Sequence, residues 1–340
     1  MLAQSETLPR EIELSMLYPI VQNGRVGYIN RLGEIVVPAQ FAMASDTNFR
    51  VLSAVTLRGF REGPVPVKIS DKWGYMDVAG SLVITEQFEE AAVFHGGLAP
   101  VKISGKWGAI DTAGNVIVNP QFDDMGGFSD GLASVKKDNK WGFITASGEY
   151  LVRPQFDEIS GSRWTAISAH PARGHFSEGF AGAKVGEKWG YIDRTGRFIV
   201  IPQYEGAHSF YQGLAAIKLN GKWGFLDTTG AIAINPQFDD VGGFGCDLAP
   251  AKSGDLWGYI DPSGSWAANP QFEDAWSFFE QSAAVRSGQK WGYIDTTGRY
   301  IINPQFDEAG DFDSGLAPVR ANQDWGYINP QGLYVWSPAS

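Results

Sequence analysis

The sequence repeats with a period of 34 residues, and this period constrains the fold more than any other feature. Trp-Gly occurs eight times, with spacings of 34, 34, 48, 34, 34, 34 and 34 residues. A ninth, earlier unit is found if Val26 takes the place of the tryptophan, since residues 16–41 align without gaps to residues 97–122. A unit this short cannot bury a hydrophobic face alone, so the period predicts stacked neighbours. The units begin near Met16, Gly63, Gly97, Gly131, Gly179, Gly213, Asp247, Gln281 and Gly315.

Two kinds of turn divide each unit into strands. The first is a two-residue loop before Lys-Trp, which suits type I′ at Asn23-Gly24, Ser104-Gly105 and Asn220-Gly221, and type II′ at Gly186-Glu187, Gly254-Asp255 and Gly288-Gln289. The second reads Asp-x-x-Gly and predicts a left-handed glycine. The glycines expected to have positive φ are Gly80, Gly114, Gly148, Gly196, Gly230, Gly264 and Gly298. Each unit is thus predicted to form a three-stranded antiparallel meander, followed by a shorter Gln-Phe-Asp segment.

The hairpin register places apolar side chains on both faces of the meander. With a two-residue loop, Lys102 lies opposite Trp107 and Pro100 opposite Ala109. A sheet that is apolar on both faces must be covered on both faces. We therefore expect an all-β fold of tandem meanders stacked as an open superhelical array, with a closed propeller-like toroid as the alternative. Nine units exceed the usual four to eight propeller blades, and the last unit is incomplete, which favours the open form. Closure would need residues 9–15 to supply the strand missing after Pro338.

The repeated motifs resemble those of bacterial WG-repeat (KWG-repeat) proteins. The matching segments are Gly-Leu-Ala-x-Val-Lys, Lys-Trp-Gly-Tyr-Ile-Asp, the Asp-x-x-Gly turn and Pro-Gln-Phe-Asp, and they cover residues 16–340. Val26, Ala109, Leu256 and Asp324 depart from the pattern. The resemblance implies a β-rich interaction or scaffold protein, and the family has no common catalytic motif. We expect residues 1–15 to be an N-terminal segment and residues 16–340 to be one repeat domain.

The charge and composition exclude several classes of partner. The net charge is −11, which disfavours nucleic acid and anionic membrane surfaces because both are bound through Lys and Arg. A single cysteine, Cys246, excludes an internal disulfide and Cys-based zinc sites. The sequence has neither a signal-peptide pattern nor an apolar run of membrane-spanning length. A cytoplasmic location is the default expectation, and an exported mature chain is the alternative. We expect no cofactor, no metal and no enzymatic activity.

Two insertions interrupt the period at the same point of a unit. They lie at about residues 42–61 and 159–176, and both carry arginine in an otherwise acidic chain. Arg and Trp often dominate interface energies, so we expect these loops to bind a protein, possibly an acidic one. A tolerated surface insertion is the competing interpretation. The candidate contact residues are Arg50, Arg58, Arg61, Arg163, Trp164, His170, Arg173 and His175.

Other residue columns favour a structural role. The acidic column from Glu89 to Asp307 and the Gln column from Gln40 to Gln305 recur in nearly every unit, so we expect the acids to be architectural and the amides to be buried. Each column tryptophan is followed by glycine and pairs with lysine, which suggests that the tryptophan packs closely against the next unit. His95 and His208 are expected at the surface. The column tryptophans also allow glycan or cell-envelope binding if they are exposed. Outside the column, Trp164, Trp266, Trp276 and Trp336 are candidates for exposed contacts, and Trp266 could pair with Trp276.

Overall fold

The computed structural model describes residues 16–42, 62–160 and 175–337, and every named element within these ranges is a β-strand. The strands form nine small antiparallel sheets, called blades 1 to 9 in chain order. Blade 1 contains β1 (Tyr18–Gln22), β2 (Arg25–Ile29) and β3 (Ile35–Ala42), and blade 2 contains β4 (Val65–Ile69), β5 (Lys72–Met76) and β6 (Leu82–Phe88). Blade 3 contains β7 (Glu90–Ala91), β8 (Leu98–Ile103), β9 (Lys106–Asp111) and β10 (Val116–Phe122).

The remaining six blades have four strands each. Blade 4 contains β11 (Asp124–Ser129), β12 (Leu132–Lys137), β13 (Lys140–Thr145) and β14 (Tyr150–Phe156). Blade 5 contains β15 (Glu158–Ile159), β16 (Phe180–Val185), β17 (Lys188–Asp193) and β18 (Phe198–Tyr204). Blade 6 contains β19 (Gly206–Ala207), β20 (Leu214–Leu219), β21 (Lys222–Asp227) and β22 (Ile232–Phe238). Blade 7 contains β23 (Asp240–Val241), β24 (Ala249–Ser253), β25 (Leu256–Ile260) and β26 (Trp266–Phe272). Blade 8 contains β27 (Asp274–Ala275), β28 (Ser282–Ser287), β29 (Lys290–Asp295) and β30 (Tyr300–Phe306). Blade 9 contains β31 (Glu308–Ala309), β32 (Ala317–Ala321), β33 (Asp324–Ile328) and β34 (Tyr334–Trp336).

Blade boundaries do not coincide with the repeat boundaries of the sequence. The segment after Pro-Gln-Phe forms a short strand that pairs with the hairpin of the next unit, as Glu90 does with Lys102. We call this short strand the lead strand, the next two the hairpin strands, and the last the terminal strand. The predicted hairpin register is confirmed, since Lys102 lies opposite Trp107 and Pro100 opposite Ala109. In blades 1 and 2 the described residues contain no lead strand.

The glycine after each tryptophan makes room for the terminal strand of its own blade. The register between β9 and β10 shifts twice, so the terminal strand bulges over the hairpin. A Cβ atom on Gly108 would lie 2.3 Å from the carbonyl oxygen of Val118 and 2.8 Å from the nitrogen of Pro120. Real Cβ contacts are never that short, so no larger residue fits without a backbone shift. The expected packing of the column tryptophans against the next unit is confirmed at Trp223 and Trp291, which share buried clusters with residues of the following blade.

The predicted turn geometry is confirmed at the Asp-x-x-Gly glycines. All seven named glycines have positive φ, between 80° and 87°. Among the hairpin loops, Asn23, Ser104 and Asn220 are left-handed together with the glycine that follows, as type I′ requires. Gly288 and Gln289 also both have positive φ, at 59° and 64°. That loop is consequently closer to type I′ than to the predicted type II′.

A buried tyrosine joins many of the blades. Tyr75, on the second hairpin strand of blade 2, donates from its hydroxyl to the carbonyl oxygen of Ala92 in blade 3 at 2.8 Å. Its ring lies 4.9 Å from that of Phe94. Burial raises the pKa of Tyr75 well above its ordinary value, so the hydroxyl remains a donor. Equivalent bonds run from Tyr191 to His208, Tyr259 to Trp276 and Tyr293 to Gly310.

Tyrosine hydroxyls also join blade 9 to blade 1, and these hydrogen bonds close the array into a ring. The Tyr327 hydroxyl donates to the carbonyl oxygen of Pro19 at 2.9 Å, and the Tyr18 hydroxyl donates to that of Ser314 at 3.0 Å. Met16, Tyr18 and Ile20 share a buried cluster with Leu316, Tyr327 and Trp336. The fold is therefore a nine-bladed β-propeller, and the expected open superhelix is wrong.

Ring closure does not depend on a complete last unit. Blade 9 has four strands, and a segment that follows Pro-Gln-Phe belongs to the next blade, as Asp240 does after Phe238. The Tyr327 hydroxyl donates to Pro19 O on the first hairpin strand of blade 1. The equivalent atom in blade 6 is Ala216 O, which lies 3.2 Å from the hydroxyl of Tyr191 in blade 5. Residues 9–15, proposed above to supply the missing strand, lie outside the described residues.

Candidate functional site

The blade topology gives the ring two ends. The two-residue hairpin loops lie at one end, the hairpin end. The loops between lead and first hairpin strands lie at the other, the turn end, together with the Asp-x-x-Gly turns. The second insertion lies between β15 and β16, and the first lies between β3 and β4. Each insertion therefore precedes the first hairpin strand of a blade, and these blades, 2 and 5, are three apart in a ring of nine. Seven candidate contact residues lie outside the described residues: Arg50, Arg58, Arg61, Arg163, Trp164, His170 and Arg173.

His175, the eighth candidate, lies at the C-terminal end of the second insertion. Its side chain is half-buried, and desolvation lowers the pKa of the imidazole; Asp130 opposes this shift and His95 adds to it. The imidazole is therefore mainly neutral at pH 7. Both His95 and Asp130 belong to the loops of neighbouring blades 3 and 4, so three consecutive blades contribute to this environment. The structure places His175 within a contact between blades rather than on a free loop.

Both ends of the second insertion are attached to the ring by hydrogen bonds or ring packing. On one side, the amide of Ser160 donates to Gly182 O at 2.8 Å, and Ser160 O accepts a bond from the Ser209 hydroxyl. On the other side, the fully buried ring of Phe176 packs 4.6 Å from that of Phe143. The Ser129 hydroxyl donates to Phe176 O at 2.9 Å. The insertion thus begins and ends at well-defined positions on three neighbouring blades.

Carboxylates at the turn end are held by backbone amides. Glu178 accepts a bond from Gly213 N of the next blade at 2.9 Å, and Glu280 accepts from Ser314 N and Gly315 N. Within the Asp-x-x-Gly turns, the first carboxylate accepts from amides two and four residues later. At Asp227, the hydroxyl of Thr229 also donates, and these bonds lower the pKa of the carboxyl group. This end of the ring is consequently a fixed array of negative charge.

The acidic column at the hairpin end has the architectural role that was expected. Asp239 accepts a bond from Gly254 N at 2.8 Å in its own blade, and it pairs with Lys222 of the preceding blade at 2.5 Å. Such bonds join hairpin loops to the start of the lead strands, and equivalent ion pairs join neighbouring blades at Lys106–Asp123, Lys140–Asp157 and Lys290–Asp307. The expected burial of the Gln column is wrong. These side chains are exposed because they precede the buried Phe of the terminal strand and so point outward, as Gln121 does before Phe122.

The column tryptophans are buried or half-buried, and lysine or arginine covers several of them. Trp223, Trp257 and Trp291 expose between 4% and 7% of their surface. The Lys218 ammonium lies 5.8 Å from the ring centre of Trp223. His208, expected at the surface, is buried and stacks on this same ring at 4.6 Å.

The tryptophans outside the column are not exposed where the structure describes them. Trp276 stacks on Trp291 at 5.6 Å with nearly parallel rings, and Trp266 packs edge-on against Phe238. Trp336 is buried at the seam of the ring. The expected pairing of Trp266 with Trp276 is therefore wrong, because each ring fills a gap in a different contact between aromatic residues. Trp164 lies outside the described ranges.

The described parts of the chain offer no arrangement of ligands for a metal ion. Within residues 16–42, 62–160 and 175–337, no group of three or more His, Cys, Asp and Glu side chains is suitably placed. The same residues contain no helix that is long and apolar enough to cross a membrane. Cys246 is half-buried, with the amide of Gln281 3.6 Å from its sulfur.

The repeats match a known family along the chain. The pattern of the WG containing repeat is found at residues 27–48, 73–107, 107–141, 141–162, 174–189, 189–223, 223–257, 257–291 and 291–323. The chain belongs to the WG-repeat family. No curated protein shows significant sequence similarity to this WG-repeat protein.

Solved structures of other proteins resemble this WG-repeat ring at low sequence identity. A crystal structure described as the eukaryotic initiation factor has a TM-score of 0.61 and 11% identity, covering 95% of each chain. Dihydro-heme d1 dehydrogenase NirN in complex with DHE has a TM-score of 0.49 and 12% identity, covering 99% of this chain and 76% of the other. Apo AztD from Citrobacter koseri has a TM-score of 0.45 and 10% identity, covering 94% and 92%. The first similarity concerns the fold alone.

Proposed function

We propose that this WG-repeat protein is a non-catalytic scaffold that binds an acidic protein partner through its two insertions. One observation carries the proposal: the two insertions interrupt the period at the same point of a unit, and both carry arginine in an otherwise acidic chain. The proposed contact residues are Arg50, Arg58, Arg61, Arg163, Trp164, His170, Arg173 and His175.

The anchoring of the second insertion supports this proposal. Ser160 and Phe176 hold its two ends on the ring, so the loop between them loses less conformational entropy on binding than a free segment would. The positive charge of the loops contrasts with a chain of net charge −11. Binding to an acidic partner is therefore expected to weaken as salt screens the charges.

The burial of the column tryptophans weighs against glycan binding. A sugar ring stacks on an open aromatic face, whereas Trp257 and Trp291 are buried and Lys184 lies over Trp189 at 5.7 Å. The acidic column likewise serves the hairpin loops through bonds such as Asp239 to Gly254. Interaction through the insertions remains the function that these observations favour.

The test replaces residues 161–172 with a Gly-Ser linker of equal length, which retains β15, Ser160 and His175. Binding of a fluorescein-labelled 20-residue peptide rich in Glu and Tyr is measured by anisotropy. The replacement and the R163E/R173E variant should each weaken binding by about tenfold or more. R197E/R299E is the matched control, because it reverses the same number of charges on exposed arginines of the turn end.

Circular dichroism and the urea midpoint check that every variant is folded. Undiminished binding by the linker variant would refute the proposal. An equal loss in R163E/R173E and in R197E/R299E would refute it as well, because only the net charge would then matter.

A further inference from the structure

Large apolar side chains are exposed along one part of the turn end. They occupy the Asp-x-x-Gly turns and the beginning of the terminal strands in five consecutive blades, 8, 9, 1, 2 and 3. We call residues 32–36, 78–83, 116–117, 300–301 and 333–334 the apolar arc. Leu32 and Leu333 expose 66% and 64% of their surface, and Val83, Val116 and Ile117 expose 48%, 47% and 43%.

The turns and terminal strands that carry the apolar arc are in contact from one blade to the next. Each turn glycine lies against the terminal strand of the preceding blade. The Cβ position of Gly114 is 3.4 Å from the side chain of Ile84, and that of Gly80 is 2.8 Å from Val37. The arc also crosses the seam, because the Cβ position of Gly33 is in contact with the carbonyl oxygen of Val335. The exposed residues of the arc therefore lie on turns and terminal strands of consecutive blades that are in contact with one another.

The same strand position is covered in several blades on the other side of the ring. In blades 4 and 5 an aromatic residue begins the terminal strand and packs on the Phe ring that ends the terminal strand of the preceding blade. Tyr150 lies 6.1 Å from Phe122, and Phe198 lies 5.9 Å from Phe156, both edge-on. Tyr300 and Tyr334 in blades 8 and 9 make the same contact but expose 40% and 48% of their surface. Blades 1 to 3 have the aliphatic residues Ile35, Leu82 and Val116 instead, which are exposed. Apolar patches above a few hundred Å² are uncommon on soluble monomers and commonly mark interaction sites.

Acidic side chains border the apolar arc. Glu34, Asp77, Asp111 and Asp295 lie in its turns, and the neighbouring loops of the same blades add further carboxylates. Hydrogen bonds from Asn115 lower the pKa of Asp111, and Thr297 does the same for Asp295, so both are charged at neutral pH. Within the described residues of these turns, Arg31 and Arg299 are the basic side chains. A second copy of this chain would bring like charges together, whereas a basic surface would be attracted.

We propose that the apolar arc is a docking surface for a cationic amphipathic segment of a partner protein. The apolar side chains of that segment contact the arc, and its Lys or Arg side chains reach the bordering carboxylates. The arc is formed by residues other than those of the two insertions, so this proposal does not depend on the function proposed for the insertions.

The probe is an amphipathic helical peptide of about 18 residues made of Leu and Lys, with its leucines on one face. Its affinity is measured by fluorescence anisotropy for the full chain and two triple variants. V83S/V116S/I117S removes apolar surface from the arc. V185S/I201S/I232S is the matched control, since these three aliphatic residues are exposed by 47%, 68% and 45% but lie outside it.

The arc variant should weaken peptide binding by about tenfold or more, which corresponds to about 1.4 kcal/mol. The control variant should retain the affinity, and the linker variant of residues 161–172 should bind the peptide normally. A peptide of the same composition but scrambled order, and one with Glu in place of Lys, should both bind weakly.

Equal binding by the two triple variants would overturn the proposal, as would equal binding of the scrambled or Glu peptide. Sedimentation of the chain alone provides a further test. Self-association that is abolished in V83S/V116S/I117S would assign the arc to a second copy and so refute the proposed occupant.

Discussion

The contact between neighbouring blades can be tested at a single turn glycine. Gly230 has φ of +83°, and a Cβ atom there would lie 2.7 Å from Cγ2 of Val200 in the preceding blade. Gly230→Ala should therefore carry two costs. The left-handed conformation costs a residue with a Cβ about 1 kcal/mol. Overpacking against Val200 adds about 1–3 kcal/mol.

The chain contains a matched control for the second cost. Gly298 has nearly the same φ, +81°, but its Cβ position is 3.4 Å from Ala268, an ordinary contact. Gly298→Ala should thus lower the free energy of unfolding by about 1 kcal/mol only. The assay is equilibrium urea unfolding followed by tryptophan fluorescence.

A double-mutant cycle separates strain from packing. Val200→Ala removes the methyl group that the new Cβ atom at position 230 would meet. The double variant should therefore be more stable than the sum of the single changes predicts, by about 1 kcal/mol. Equal destabilisation by Gly230→Ala and Gly298→Ala, together with additive effects in the cycle, would refute the contact between blades 5 and 6.

Two further predictions concern the seam and acid stability. Tyr327→Phe and Tyr293→Phe should each lower the free energy of unfolding by about 1 kcal/mol, because each change removes the donor to a carbonyl oxygen of the next blade. If only Tyr293→Phe lost stability, the result would contradict ring closure. The turn carboxyls Asp111, Asp193, Asp227, Asp261 and Asp295 have lowered pKa values in the folded chain. Their contribution is complete above the unfolded pKa of about 4 and is lost as the pH falls through the folded values. The urea midpoint should be flat from pH 5 to 7 and should fall below pH 4, with a smaller fall in Asp227→Asn.

The local structure of each unit follows from short sequence patterns. Asn220-Gly221 and Asp227–Gly230 are turns because few other residues adopt the required left-handed conformation, and this constraint is local. The pairing of Lys102 with Trp107 then follows from the loop length. Residues whose conformation is set by their nearest neighbours in the chain could thus be predicted.

Features that depend on distant contacts could not be predicted in the same way. Ring closure depends on the angle between blades, which many contacts such as Tyr75 with Phe94 determine together. The burial of Trp276 depends on Trp291, and that of His208 on Trp223, although neither pair shares a sequence motif. The candidate contact residues, apart from His175, lie outside the described residues and stay predictions.

The apolar arc was also missed at the level of sequence. Val116 and Ile232 occupy the same strand position and are similarly exposed, at 47% and 45%. Only their neighbours in the ring distinguish them, since Val116 continues a row of exposed aliphatic residues across the seam. Three units in succession begin the terminal strand with an aliphatic residue, namely Ile35, Leu82 and Val116, and this run is the signal that could have identified that part of the arc.

The offset between repeats and blades bears on how such a ring could change in size during evolution. Each lead strand is encoded in one unit and pairs in the next blade, as Glu90 does with Lys102. Where the period is regular, duplication of 34 residues therefore adds the sequence of one set of four strands, whatever its starting point in the unit. The new blade must still fit a full turn, because the Tyr327 hydroxyl reaches Pro19 only when the ring closes. Gene duplication can thus supply blades freely, while the angle at each contact between blades decides which numbers survive.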